Sequence, residues 1–172
     1  PGTLTHTETH TEDRIHYTWT IENVPQYFAE PSMPTPYTVT QRLLISTIPS
    51  WEELSRWYWN LCLPRMECTT PALEQTALDL THGKSTQEKI EALFTFVSQE
   101  IRYMGITTEE EAPGYEPHDV SITFENRYGV CRDKAALLAA MLRIAGVDAF
   151  PVIIMAGPKK DEEGPQPFFN HA

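Results

Sequence analysis

Residues 135–145 are apolar on nearly every side of a helix, with Arg143 the exception. A helix without a polar face cannot rest on a surface, so the rest of its domain has to be built around it. Both ends carry signals. Gly146 offers the left-handed conformation that closes a helix C-terminus, and Cys131 stands at the start, just after Gly129. Residues 149–155 are apolar without alternation and read as a buried strand. Residues 159–167 read as a polar turn, and 168–172 as the beginning of a returning strand. That return would carry His171 back beside the preceding strand, toward the start of the helix.

Three upstream segments have the pattern needed to surround such a helix. Ser85 and Glu88 form a capping-box pair, and Ile90, Leu93, Phe94, Val97 and Ile101 then make one apolar face, predicting a helix that runs to about Tyr103. Thr70 and Pro71 suit the N-cap and first position of another helix, carried by Leu73, Ala77, Leu78 and Leu80 and ended near His82 and Gly83. Ser50 and Glu53 start a third, in which Trp51, Leu54, Trp57, Tyr58 and Leu61 recur at helical spacing until Pro64 is expected to stop it. Such an aromatic stripe reads as packing. Between 105 and 117 the composition turns to Thr, Glu, Gly and Pro, a surface loop in which Glu109, Glu110 and Glu111 are solvated; 118–128 reads as holding a short helix.

The first part of the chain reads as β. Ile15, Tyr17, Trp19 and Ile21 alternate with polar residues as a half-buried strand does, and Tyr37, Val39, Gln41, Leu43 and Ile45 do so less regularly. Pro25, Pro31, Pro34 and Pro36 keep the connection between them irregular. Residues 3–11, rich in Thr and His, read as an edge strand or a frayed end. The division that follows is a partial β-rich segment over 1–48 and a core over 49–172. The abrupt ends at Pro1 and Ala172 read as those of an excised fragment.

Composition narrows the function classes. With 41% hydrophobic and 22% charged residues, the chain is globular rather than disordered. A net charge of -11 with no Lys/Arg cluster opposes phosphate-backbone binding, so nucleic acid is not an expected partner. No stretch is long and apolar enough to span a bilayer, and no signal peptide is visible. Three cysteines are an odd number: Cys62 and Cys68 are close enough in sequence to pair in an oxidising compartment, leaving Cys131 as the free thiol.

Cys131 carries the chemistry. A thiol attacks as its thiolate, so a nucleophilic cysteine needs a setting that lowers its pKa from about 8.5 toward the working pH. A helix N-terminus supplies one through unpaired N–H groups and aligned peptide dipoles, with Arg132 and Lys134 adding through-space support. A neighbouring imidazole would complete the ion pair and later protonate the leaving amine. The competing reading is a small buried hydrophobe. His6, His10 and His16 fall on polar strand positions without a recognised metal pattern, and His82 and His118 sit at predicted helix ends; no metal or cofactor is called for.

The string Tyr128-Gly129-Val130-Cys131-Arg132-Asp133-Lys134-Ala135-Ala136-Leu137-Leu138, with Gly146 and the hydrophobic segment after it, resembles the core motif of the transglutaminase-like superfamily, as does Phe169-Asn170-His171-Ala172. Upstream, Arg42-Leu43-Leu44-Ile45-Ser46, Ile48-Pro49-Ser50-Trp51-Glu52-Glu53 and Trp57-Tyr58-Trp59 resemble the end of a β-rich domain of unknown function that often precedes the core in bacterial members. The resemblance implies an α+β, papain-like fold in which a buried central helix bearing Cys131 packs on an antiparallel sheet. It implies Cys131 as nucleophile and His171 as base. The orienting Asp of the family follows on a strand expected beyond Ala172, and Asp133 is read instead as a residue of helix-terminus electrostatics and local hydrogen bonding. The Cys131 N–H is the natural oxyanion donor, with Tyr103 a candidate for the second. The implied reaction is acyl transfer from an amide or peptide bond of a peptide or protein substrate, with protease or amidase favoured over cross-linking, and an exported location. The alternatives are an inactive binding or scaffolding module that keeps the fold, and an adaptor role for the β-rich segment.

Overall fold

The structure, a computed structural model, describes residues 2–28, 30–33, 43, 45–105 and 114–154. They fall into two compact units, one within Pro1–Ile45 and one from Ser46 onward.

The first unit is built on a hairpin of β1 (Thr3–His10) and β2 (Ile15–Glu22), paired antiparallel from Thr3↔Glu22 to His10↔Ile15 and turned by a bond from the Thr11 N–H to the Arg14 carbonyl, 2.8 Å. Strand alternation sorts the side chains into two faces. One holds Leu4, His6, Glu8 and His10 opposite Ile21, Trp19, Tyr17 and Ile15, with the His6 ring stacked on Trp19 and Tyr17 at 5.1 and 6.0 Å. The other is mostly threonine. Residues 3–10 are thus a paired strand, not a frayed end. The half-burial expected of β2 is not found: Ile15, Tyr17 and Ile21 are exposed, because within this unit no described element forms a second layer over the aromatic face. Of the second expected strand, 34–42 and 44 lie outside the described residues, and Leu43 and Ile45 are exposed and irregular.

The second unit is helical. Helices α1 (Trp51–Glu67), α2 (Pro71–Thr81) and α3 (Thr86–Glu100) lead through β3 (Arg102–Tyr103) to α4 (Val120–Asn126), β4 (Tyr128–Gly129) and α5 (Cys131–Ile144). The first three begin as their sequences dictate. The side chains of Ser50, Thr70 and Ser85 accept from the N–H groups of Glu53, Leu73 and Glu88, each satisfying a donor the helix itself leaves unpaired.

Helix α5 packs against all four other helices of the unit. Its Ala136, Leu137, Ala139, Ala140 and Met141 are buried together with Leu73 of α2, Leu93 of α3, Val120 of α4 and Cys62 of α1. The run of alanines lets neighbouring backbones approach closely while Leu137 and Met141 fill the volume. Gly146 adopts φ +80, and the Ala145 carbonyl accepts from Lys89 Nζ at 2.8 Å, a cation placed at the negative end of the helix.

Three boundaries differ from the sequence pattern. Pro64 lies inside α1, which continues to Glu67. The hydrogen bond lost at the proline is offset by contacts further on: Met66 is buried, and Arg65 pairs with Glu116 at 2.7 Å and Asp119 at 2.9 Å. Helix α3 ends at Glu100 rather than near Tyr103, because the Arg102 N–H is taken by the Arg127 carbonyl at 2.8 Å and the Met104 N–H by the Gly129 carbonyl at 3.1 Å, making β3 a parallel partner of β4. Residues 149–154 form no strand, and Phe150, Val152 and Ile154 are exposed; a strand requires a paired neighbour, and no described segment lies alongside. The Phe150 ring instead meets Trp59 of α1 at 5.3 Å, with the Arg143 guanidinium over both. The acidic residues Glu109 to Glu111 lie outside the described residues.

Candidate active site

The site begins where α4 hands the chain to α5. Arg127 ends α4 in the left-handed region at φ +58, a costly conformation for a side chain with a Cβ, and its guanidinium lies 4.4 Å from the Phe124 ring centroid and 5.2 Å from that of Phe96. The reversal sends Tyr128 and Gly129 alongside β3. Gly129 is required by close approach: a Cβ there would lie 2.8 Å from Cβ of Asp133 and 3.2 Å from Cγ2 of Thr123.

Cys131 is then the first residue of α5 and is exposed, although the body of that helix is buried. This excludes the small buried hydrophobe. Cys62, by contrast, is buried on α1, where burial pushes its thiol up. Cys68 is exposed and its thiol donates to the Pro64 carbonyl at 3.3 Å; local desolvation and then the charge of Asp119 push it up as well. All three are free thiols, so Cys62 and Cys68 do not pair.

Asp133, one turn into α5, is almost completely buried. Its Oδ2 accepts from the Val130 N–H at 3.0 Å, and its Oδ1 accepts from the His118 N–H at 3.0 Å and meets His118 Nδ1 at 3.1 Å. One carboxylate thereby ties the segment before α4 to the start of α5. Arg132 completes the tie: its Nε donates to the Glu116 carbonyl at 2.9 Å, while its Nη2 is buried with no partner among the described residues. Glu116 is also held from α1 by Arg65, and Tyr115 packs edge-on against Trp57 of α1 with centroids 6.1 Å apart. Next to Trp57, the buried Tyr58 has its phenol pushed far above the usual range, first by burial and then by the Cys62 thiol, with Cys131 within electrostatic reach.

Two expectations about charge change. Lys134 Nζ donates to the Ile101 carbonyl and Arg132 turns to Glu116 and Asp133, so both cations are engaged in binding other segments to α5. The residues that sequence reasoning passed over, His118, Glu116, Tyr58 and Arg65, reach the site from positions far away in sequence, and only the Asp133 contact to Val130 has a local signature. Tyr103 stands on β3 in register with Gly129, two residues before Cys131, and its exposed ring lies over Gly105. His171 lies outside the described residues. A cavity of about 340 Å³ lined by Leu63, Met66, Arg143 and Ile144 among others sits at the opposite end of α5. Among the described residues no cluster of His, Cys, Asp and Glu could hold a metal ion, and no helix is long and apolar enough to cross a membrane.

An α+β core whose buried central helix opens on an exposed cysteine defines the class. The model of the transglutaminase-like superfamily matches residues 74–168, more than half of the chain, and the chain belongs to that superfamily. Among solved structures it is similar to a "putative protease" from Parabacteroides distasonis ATCC 8503, with a TM-score of 0.55 and 21% identity over 84% of this chain, a likeness of fold. The chain spans 28% of the length of that structure. None of the curated proteins gives a significant match.

Proposed function

We propose that Cys131 is the nucleophile of an acyl transfer from an amide or peptide bond, with protease or amidase chemistry favoured over cross-linking. The observation that carries the reading is the exposure of this one thiol on the first turn of an otherwise buried helix, in a chain of this superfamily. There the positive end of the helix and its unpaired N–H groups face the place where negative charge develops during attack. The sulfur attacks the substrate carbonyl carbon, the oxyanion is met by the Cys131 N–H, and collapse breaks the C–N bond as a proton passes from the imidazolium to the leaving amine. Water or an amine then takes the acyl group from the thioester. His171 is the proposed base and Tyr103 the proposed second oxyanion donor, the latter supported by the register of β3 on β4.

The test is hydrolysis of a mixed peptide library followed by mass spectrometry. Cys131→Ala is expected to lower turnover by at least about 10⁴-fold, as loss of a nucleophile does. His171→Ala should do nearly the same. Undiminished cleavage by Cys131→Ala sinks the proposal, and retained peptide binding without any turnover in the unsubstituted chain would point to a binding module.

A further inference from the structure

Four helices of the second unit have eight residues or more, and three of them begin with a side-chain oxygen that accepts from the N–H three residues on: Ser50, Thr70 and Ser85. The fourth is α5. Its N-cap is Val130, which has no acceptor in its side chain and is among the least favoured residues at that position. The first hydrogen bond of the helix runs from the Lys134 N–H to the Val130 carbonyl at 3.0 Å. Among the described residues nothing accepts from the N–H groups of Cys131, Arg132 or Asp133. Arg132 of the same turn adds a buried Nη2 with no partner among the described residues. Such donors are left to water or to an anion that approaches the exposed thiol.

The missing cap is replaced from inside the helix. Asp133 reaches back to the Val130 N–H at 3.0 Å, and its carboxylate is held by His118 at 3.0 and 3.1 Å, with Gly129 leaving the room for it. This is half of a capping box: the acidic residue at the third position is present, and the hydroxyl that would take its N–H is not.

We infer that Val130 is a positioning residue for the acyl transfer. Carrying no acceptor, it leaves the main-chain donors of the first turn of α5 open to the Cys131 thiolate and to the oxyanion, while Asp133 and His118 keep the uncapped turn in place. The inference rests on the reading of Cys131 as nucleophile. A Ser or Thr at this position would make a better helix start and a worse site.

Val130→Thr preserves shape and adds the acceptor. Alkylation of Cys131 by iodoacetamide, followed by mass spectrometry with exposed Cys68 as internal reference, is expected to slow about tenfold at neutral pH, because the added cap takes a main-chain donor that would otherwise be open to the sulfur. The ultraviolet thiolate absorbance lost on alkylating Cys131 should fall in parallel. The thermal midpoint should hold or rise, the opposite direction from reactivity, which a merely damaged turn would not give. If Val130→Thr loses its fold, Val130→Ser carries the same acceptor and is read in the same way. Unchanged alkylation and absorbance in a folded hydroxyl variant overturn the inference and leave the nucleophile standing. If Cys131 of the unsubstituted chain reacts no faster than Cys68, the nucleophile reading itself fails and takes the inference with it.

Discussion

Helices α3 and α5 both carry an acidic residue at their third position, and they use it differently. In α3 the Glu88 carboxylate bonds the Ser85 N–H at 2.9 Å and Ser85 Oγ accepts in return, so the exposed end closes on itself with residues from one turn. In α5 the Asp133 carboxylate is buried and divided between Val130 and His118, fifteen residues upstream, and the cap residue returns nothing. The first arrangement is a local device that starts a helix. The second joins two segments and, among the described residues, leaves the first N–H groups of the helix without an acceptor. A helix start that binds other parts of the fold and, among the described residues, keeps its first N–H groups open is suited to holding an anion, whereas a closed box gives one of those donors to its own hydroxyl.

The contrast can be broken by substitution, beginning with the largest effect. Asp133→Ala removes the carboxylate that accepts from the Val130 and His118 N–H groups and cuts the tie between α5 and the segment before α4, and should cost about 3 kcal/mol in urea unfolding, with loss of amide protection at the start of α5. A cost below that of removing an exposed cap would show that the buried tie is not structural. Gly129→Ala forces a Cβ to 2.8 Å from Asp133, and a destabilisation of about 1–3 kcal/mol is expected, together with slower alkylation of Cys131 as Asp133 is displaced. Normal stability and reactivity would mean that β4 shifts freely.

Ser85→Ala sharpens the comparison from the other side. It should cost about 1 kcal/mol, the usual worth of a hydroxyl cap, and leave Cys131 alkylation unchanged. A change in that rate would tie the two helix starts together. The smallest effect is in pH. Hydrogen bonds from the Ser85 hydroxyl and then its N–H hold the Glu88 carboxyl below its ordinary value of 4.5. A depressed folded-state pKa contributes stability that is present above 4.5 and lost as pH falls through the lower folded value. Glu88→Gln should therefore reduce the difference in thermal midpoint between pH 6 and about pH 3, slightly, since the group is fully exposed. An identical acid limb would remove the box from the account of α3.

Much of this was legible from local pattern. Thr70 with Pro71, Ser85 with Glu88 and Gly146 mark helix ends because each acts on backbone groups within a few residues, and the all-round apolar stretch of α5 demanded a surrounding shell that the four other helices provide. The pattern misled where a distant partner prevailed. Pro64 does not end α1, because Arg65 and Met66 find their contacts beyond it, and Arg102 leaves α3 for the carbonyl of Arg127. Of the site, Cys131 and its place at a helix start were readable. The tie of Asp133 to His118 was not, since nothing in either residue's neighbourhood announces the other.

The sequence by itself therefore determined where helices start and that one of them must be central, with Cys131 on its first turn, because caps and apolar periodicity act over single turns of chain. Only the tertiary structure decided which groups surround that turn. The carboxylate of Asp133 could have closed a local box, as Glu88 does; burial beside Gly129 and His118, with no hydroxyl at Val130 to meet it, directs it inward and leaves the first N–H groups of α5 open among the described residues.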